Sequence, residues 1–263
     1  MMPERLVLIR HGLSELNVLN KKLKKENLPF PKEFHDIPDR EYRLAKEGVL
    51  QAKATGKWLK KEYGGFHFGP YFHERSVVIC SDFVRAKETC YHVLNSAGFD
   101  KSEIIIDPLV GERNWGAFHL VDSSEQIAYL RKLKKRDPLF FPMPDGETIS
   151  ETRNRTRTLL ERCSRQFEDK NVFVITHGEF IESLISEVFH FRTEQHVSFF
   201  ESDLGDIKNC QVFEIRSIDG KFKLFRTSNP YLKEFGDWKE IPKSKVKIED
   251  LLKEIDQYKH IIK

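Results

Sequence analysis

Leu6-Val7-Leu8-Ile9-Arg10-His11-Gly12, near the start of the chain, and Val172-Phe173-Val174-Ile175-Thr176-His177-Gly178, far along it, share one layout. Each begins with a short apolar run containing β-branched residues and ends on a histidine and a glycine. Such runs, bounded by glycine and polar residues, read as buried strands. A histidine at the carboxyl end of such a strand stands where open α/β sheets place their ligands. Two of them, so distant in sequence, could meet at one site. A lone histidine after a strand is as a rule a hydrogen-bonded structural residue. Arg10, directly before His11, changes that balance, because a guanidinium beside a neutral imidazole suits a phosphate.

Around these two stretches strands and helices alternate. A helix is predicted from about Leu44 to Tyr63, with Leu44, Ala52, Gly56 and Leu59 on or near one stripe and Gly64-Gly65 as its stop. A strand at Val77–Cys80 follows, then a helix carrying Arg85, Ala86 and Thr89. Ile104–Ile106 reads as another strand, closed by Asp107-Pro108. Helices are expected from Ser123 to about Arg136 and from about Ser150 to Phe167, the latter leading into the second histidine strand. This alternation implies parallel pairing with helices on both faces. Gln211–Ile215 and Lys221–Phe225, joined through Asp219-Gly220, read as a hairpin on an antiparallel edge. The expected architecture is a three-layer α/β/α domain with a mostly parallel central sheet and an antiparallel edge strand.

That domain is expected to span 1–235, with a basic, proline-containing excursion or lid at 21–43. Residues 236–263 form a charged amphipathic tail in which Ile248, Leu251, Leu252, Ile255, Tyr258 and Ile262 recur at helical spacing. The tail packs on its own domain or, alternatively, joins two copies in a homodimer. With 44 basic and 41 acidic residues the net charge is +3, too balanced to argue for nucleic acid. Cys80, Cys90, Cys163 and Cys210 form no Cys-x-x-Cys pair, which fits a reducing compartment and suggests no zinc site. His35, His67, His73 and His190 also lack ligand spacing. Neither a signal peptide nor an apolar run of membrane-spanning length is apparent, so the expected location is cytoplasmic, with no membrane partner.

The segment Arg10-His11-Gly12-Leu13-Ser14-Glu15-Leu16-Asn17 resembles the signature of the histidine phosphatase (phosphoglycerate mutase-like) superfamily. Three further segments are similar to motifs of that family. Ser81-Asp82-Phe83-Val84-Arg85-Ala86-Lys87-Glu88-Thr89 matches Ser-x-x-x-Arg-Ala-x-x-Thr, and Glu112 to Gly116 matches Glu-x-x-x-Gly. Arg43-Leu44-Ala45-Lys46-Glu47-Gly48-Val49-Leu50-Gln51-Ala52 matches Arg-Leu-x-x-x-Gly-x-x-Gln-Ala of the phosphatase-like branch. The resemblance runs from roughly Glu4 to Arg216. Two features depart from it: Leu13 stands where many members have Glu or Gln, and the excursion after Asn20 is longer and more basic.

The resemblance implies a phosphoglycerate mutase-like fold and catalysis through a phosphohistidine, with neither metal nor cofactor. His11 is the expected nucleophile, Arg10 and Arg85 the guanidiniums on the phosphate, and His177 a phosphate ligand that stabilises transition-state charge. Glu112 is the expected proton donor, which requires a raised pKa, and Arg113 would oppose that rise if it pointed inward. Gly178 and Asn17 join as phosphate- or substrate-binding residues, although an Asn at a helix start is also a common cap. Glu147, in a Gly-Glu-Thr turn, is a further candidate beside what also reads as a plain capping box of Thr148 and Glu151. The expected function is a metal-independent phosphomonoesterase acting on a small phosphorylated metabolite. The alternatives are a cofactor-dependent phosphoglycerate mutase and an inactive phospho-ligand binding protein.

Overall fold

Alternation along β1 (Arg5–Arg10) sets the layers. Successive side chains of a strand point to opposite faces. Leu6 and Leu8 therefore join one buried cluster, with Leu159, Val172, Val174, Phe180 and Leu184, while Val7 and Ile9 join a second, with Ala52, Val78, Val93, Phe173 and Ile175. The computed structural model describes residues 1–263 apart from 27, 29, 35, 64–74, 99–103, 117–128, 130–131, 133–135, 142–143, 203–204, 243–246, 248–249 and 251–263.

Along the chain, β1 leads into α1 (Glu15–Glu26), two short 3-10 turns at Lys32–Phe34 and Asp39–Glu41, and α2 (Lys46–Glu62). Then come β2 (Ser76–Cys80), α3 (Val84–Ala97), β3 (Ile104–Ile106) and a 3-10 turn at Pro108–Val110. The second half holds α4 (Ile149–Gln166), β4 (Asn171–Thr176), α5 (Gly178–Val188), α6 (Thr193–Phe200), β5 (Val212–Ile218), β6 (Lys221–Asn229), β7 (Glu234–Phe235) and β8 (Lys239–Glu240). The sheet runs β3-β2-β4-β1-β5-β6-β7, with β8 also on β6. Pairing is parallel from β3 to β1 and antiparallel beyond it. Helices α2 and α3 cover one face, α4 and α5 the other.

The three-layer expectation holds, with three differences at its margins. The antiparallel side is wider than one edge strand, because β7 and β8 both add to β6. That carries the sheet to Glu240, past the expected domain end at 235. The basic run from Lys21 is the second half of α1, whose Leu23 is buried, so the irregular part of the 21–43 excursion begins only after Glu26. The expected Gly64-Gly65 stop, most of the helix over 123–136, the tail beyond 250, and His35, His67 and His73 lie outside the described residues. Among the described residues no helix is long and apolar enough to cross a membrane.

Candidate active site

Register brings the two histidines together. In the parallel β1–β4 pair Arg10 lies opposite Thr176, so the next residue of each strand, His11 and His177, emerges at the same level. Their ring centroids are 5.1 Å apart and both side chains are buried. β2 adds Ser81 at the neighbouring strand end, and its Oγ lies 2.8 Å from His177 Nε2.

Each imidazole is held by one nitrogen. His11 Nδ1 meets the carbonyl of Gly12 at 2.7 Å; a carbonyl only accepts, so Nδ1 carries the proton and Nε2 the lone pair. Arg85 Nε donates to that Nε2 at 3.3 Å. Burial, then the charges of Arg85 and Arg10, push His11 well below the usual imidazole range, which keeps it neutral and nucleophilic. Ser81 Oγ accepts from Phe83 N at 3.3 Å and meets His177 Nε2 at 2.8 Å; where the hydroxyl is the donor of that pair, the second ring's proton sits on Nδ1. That Nδ1 is buried without a hydrogen-bond partner among the described residues, as is Arg10 Nε. Buried polar groups need partners. Two orphaned donors beside a lone-pair nitrogen make a seat for an anion.

The motifs have local physical reasons. Arg85 and Thr89, four apart, share one face of α3, while Ser81 sits in the loop that leads from β2 into the helix. Thr89 Oγ1 accepts from Gly12 N at 2.9 Å and donates to the carbonyl of Arg85 at 2.7 Å, tying the histidine loop to the arginine helix. The Arg43–Ala52 motif docks α2 on the same loop. Gln51 Oε1 accepts from Leu13 N at 2.9 Å, and Ala45 N donates to the carbonyl of Leu13 at 2.9 Å. A Cβ on Gly12 would stand 2.6 Å from the carbonyl oxygen of Gly48, and one on Gly48 2.2 Å from that of Leu13, so neither site has room for a side chain.

Glu112 reaches the site from the loop after β3, with Oε2 3.9 Å from His177 Nδ1. Burial and the nearby Glu179 carboxylate raise its pKa to about 7, against the pull of Arg85 and Arg10. Arg113 does point inward, but its Nη1 pairs with Glu179 Oε2 at 3.3 Å and its Nε donates to the carbonyl of Glu147 at 2.7 Å. A surface ion pair between Glu112 and Arg113 is therefore not what forms. The loop itself is fixed by Arg155 of α4, which donates to the carbonyls of Leu109, Gly111 and Glu112 at 2.7, 3.0 and 3.2 Å.

His11, His177, Arg10, Arg85 and Glu112 are thus gathered as the sequence suggested, and Gly178 opens α5 beside them with one of the unpaired N–H groups of a helix start. Two candidates stand apart. Glu147 is gripped by Arg155 at 2.9 and 2.8 Å and accepts from Asn114 N at 2.8 Å, so its carboxylate braces the Glu112 loop instead of facing His11. The Thr148–Glu151 capping box forms as read. Asn17, the third residue of α1, completes a capping box with Ser14: its Oδ1 accepts from Ser14 N at 3.3 Å while Ser14 Oγ accepts from Asn17 N at 3.1 Å. The same Oδ1 accepts from Asn209 Nδ2 at 3.3 Å, and Asn209 also reaches the carbonyl of His11 at 3.1 Å. Asp39, Arg155 and Glu179 carried no signal in the sequence, whereas Ser81 stood inside a motif without a role.

His11, Glu112 and His177 offer ligand atoms within 4.8 Å of one another, a grouping with the donor set of a metal site. The donor set does not fit a cation well: burial first, and then the charges of Arg85 and Arg10, depress both imidazoles, and those two guanidiniums already place positive charge in this space. The arrangement favours a phosphate over a metal ion.

Comparison with known proteins agrees with this geometry. The chain is 29% identical over 195 residues to a 2,3-bisphosphoglycerate-dependent phosphoglycerate mutase of Sinorhizobium fredii, covering 72% of this chain and 82% of the relative. A similarly named mutase of Gloeobacter violaceus is 26% identical over 201 residues, covering 72% and 78%. In fold it resembles Entamoeba histolytica phosphoserine phosphatase with 3-phosphoglyceric acid, at a TM-score of 0.60 and 17% identity, covering 86% of this chain and 98% of the other. A mycobacterial glucosyl-3-phosphoglycerate phosphatase gives 0.57 and 16%, covering 92% and 99%. The family model of the histidine phosphatase superfamily (branch 1) matches residues 6–230, and the chain, with its paired strand-end histidines, belongs to that superfamily.

Proposed function

We propose that the protein is a metal-independent phosphomonoesterase that hydrolyses a small phosphorylated metabolite through a phosphohistidine. The observation that carries this reading is the pairing of His11 Nδ1 with the Gly12 carbonyl, which turns a neutral Nε2 toward the guanidinium of Arg85. In the first step Nε2 attacks phosphorus and the ester P–O bond breaks, with Glu112 giving its proton to the leaving oxygen. Arg10, Arg85 and His177 Nδ1 bear the charge on the equatorial oxygens. In the second step water attacks phosphorus, the Glu112 carboxylate takes its proton, the P–N bond breaks and phosphate leaves.

Hydrolysis is favoured over mutase chemistry by where the cations go. A mutase must clamp a substrate carboxylate and exclude water. Among the described residues near Glu112, Arg113 and Arg155 are committed to Glu179 and Glu147. The second reading, a cofactor-dependent phosphoglycerate mutase, is favoured by the names of the sequence relatives. Turnover of p-nitrophenyl phosphate in EDTA, wild type beside His11→Ala, is the test. Activity that vanishes in the variant supports the esterase. An inert wild type, with isomerisation of phosphoglycerate stimulated by 2,3-bisphosphoglycerate, supports the mutase. Failure of both assays points to a phospho-ligand binding protein.

A further inference from the structure

The mechanism leaves one engaged side chain unused. Asp39 sits in the second 3-10 turn of the 21–43 excursion and lies against Arg85 of α3. Its Oδ1 accepts from Arg85 Nη1 at 3.0 Å, its Oδ2 from Nη2 at 3.1 Å, and its carbonyl from Nη1 at 2.6 Å. Of the five N–H groups on a guanidinium, three therefore end on a single residue. The remaining two, on Nε and Nη2, share the opposite edge. Nε is the donor that meets His11 Nε2 at 3.3 Å.

We propose that Asp39 is a positioning residue: it grips the outer edge of Arg85 so that the Nε–Nη2 edge is presented to the phosphoryl group at His11 Nε2. This rests on the reading of Arg85 as a phosphate ligand. Arg85 has a buried side chain and Asp39 a partly exposed one, so the carboxylate supplies the counter-charge that a desolvated guanidinium needs. Asp39 occupies a different edge of the guanidinium from the one whose Nε meets His11, so the Nε–Nη2 edge stays available to a phosphate. The segment is pinned independently one turn further along α3. There Glu88 accepts from Arg43 Nε at 2.7 Å and from Leu44 N at 2.6 Å. A guanidinium fixed before substrate arrives acts most strongly on charge that develops in the transition state.

The test compares orthovanadate, a mimic of the transferring phosphoryl group, with inorganic phosphate, using calorimetry on the whole chain. Asp39→Asn should weaken vanadate about tenfold or more, since small misplacements of a catalytic group cost that much, and phosphate by less than about threefold. In an Arg85→Lys background the same change should add nothing, because the two residues act as one unit. Asp39→Glu, which keeps the charge, should recover part of the loss, and Arg43→Ala, which leaves the bond from Leu44 N to Glu88 in place to hold the segment, should bind as wild type does. Tighter vanadate binding in Asp39→Asn would mark a plug and overturn the proposal. So would equal losses with Arg85→Lys present, an Asp39→Glu no better than Asp39→Asn, a matching loss in Arg43→Ala, or a wild type that binds no vanadate. Binding needs no turnover. Asp39-dependent vanadate affinity in a protein that hydrolyses nothing would sink the esterase and leave the role of Asp39 standing.

Discussion

The carboxyl ends of β1 and β4 lie side by side, and each delivers a buried histidine to the same space, yet the two rings are tethered by opposite nitrogens. His11 is held through Nδ1 by its neighbour's carbonyl, His177 through Nε2 by the hydroxyl of Ser81 from β2. A carbonyl can only accept, so it leaves a lone pair facing the site. A hydroxyl can donate as well as accept, and where it donates to His177 Nε2 the ring's proton faces the site. Strand register alone would have made the two residues equivalent. Their local partners distinguish them, and in the proposed mechanism one is the nucleophile and the other a donor.

The sharpest way to break that contrast is to delete each ring. His11→Ala should remove the phosphoenzyme and cost at least about 10⁴-fold in turnover. His177→Ala should still form an acid-labile phosphoenzyme, at a rate lower by about 10²–10³-fold, the worth of one donor to a developing oxyanion. Rapid-quench labelling with a ³²P substrate reads both. Equal loss of the labelled intermediate in the two variants would end the distinction.

Glu112 tests the same contrast from the substrate side, because a leaving group that needs no proton needs no acid. Glu112→Gln should slow hydrolysis of alkyl phosphates by about 10²–10⁴-fold while leaving p-nitrophenyl phosphate much less affected. Equal losses on both would remove Glu112 from the acid's role. Ser81→Ala is the smaller probe. It frees His177 to choose either tautomer and should cost about tenfold in kcat, the size of one positioning hydrogen bond, with little change in phosphoenzyme yield. No matching side-chain deletion exists for His11, since its tether is backbone. A Ser81→Ala variant with unchanged kcat would show that the hydroxyl does not set the proton.

The strand-end histidines and their partner arginines were legible in the sequence because their signals are local. Apolar runs define β1 and β4, and a spacing of four puts Arg85 and Thr89 on one face of α3, with Ser81 in the loop just before it. The parallel sheet then follows from the alternation of elements. What stayed hidden depends on contacts that no local pattern announces. Glu147 looks like a ligand in its turn, but Arg155 on the next helix turns it into a brace. Asn17 reads as a hydrogen-bond donor to substrate or as a local cap, and the structure shows its Oδ1 engaged by Ser14 and Asn209. Asp39 sits in an irregular stretch with no periodicity from which to place it.

Glu179 belongs to that hidden set, and it sharpens the comparison most finely because it follows His177 on the β4 side yet acts on the acid. Glu112 must be protonated to donate, so turnover of an alkyl phosphate should fall as pH rises through its pKa of about 7. The limb set by His11 lies well below the usual imidazole range and should stay there. Glu179→Gln removes a like charge while the amide oxygen can still accept from Arg113, so the falling limb should move to lower pH. Burial is the larger cause of the elevation, and the substitution leaves it in place. The limb should therefore stop short of the ordinary 4.5 and lose only part of its displacement. A pH profile of kcat/KM for an alkyl phosphate measures this, with Glu112→Gln as the reference in which no such limb remains. A limb that stays near its wild-type position would mean that burial alone keeps the acid protonated, and that the carboxylate after His177 does not act on it.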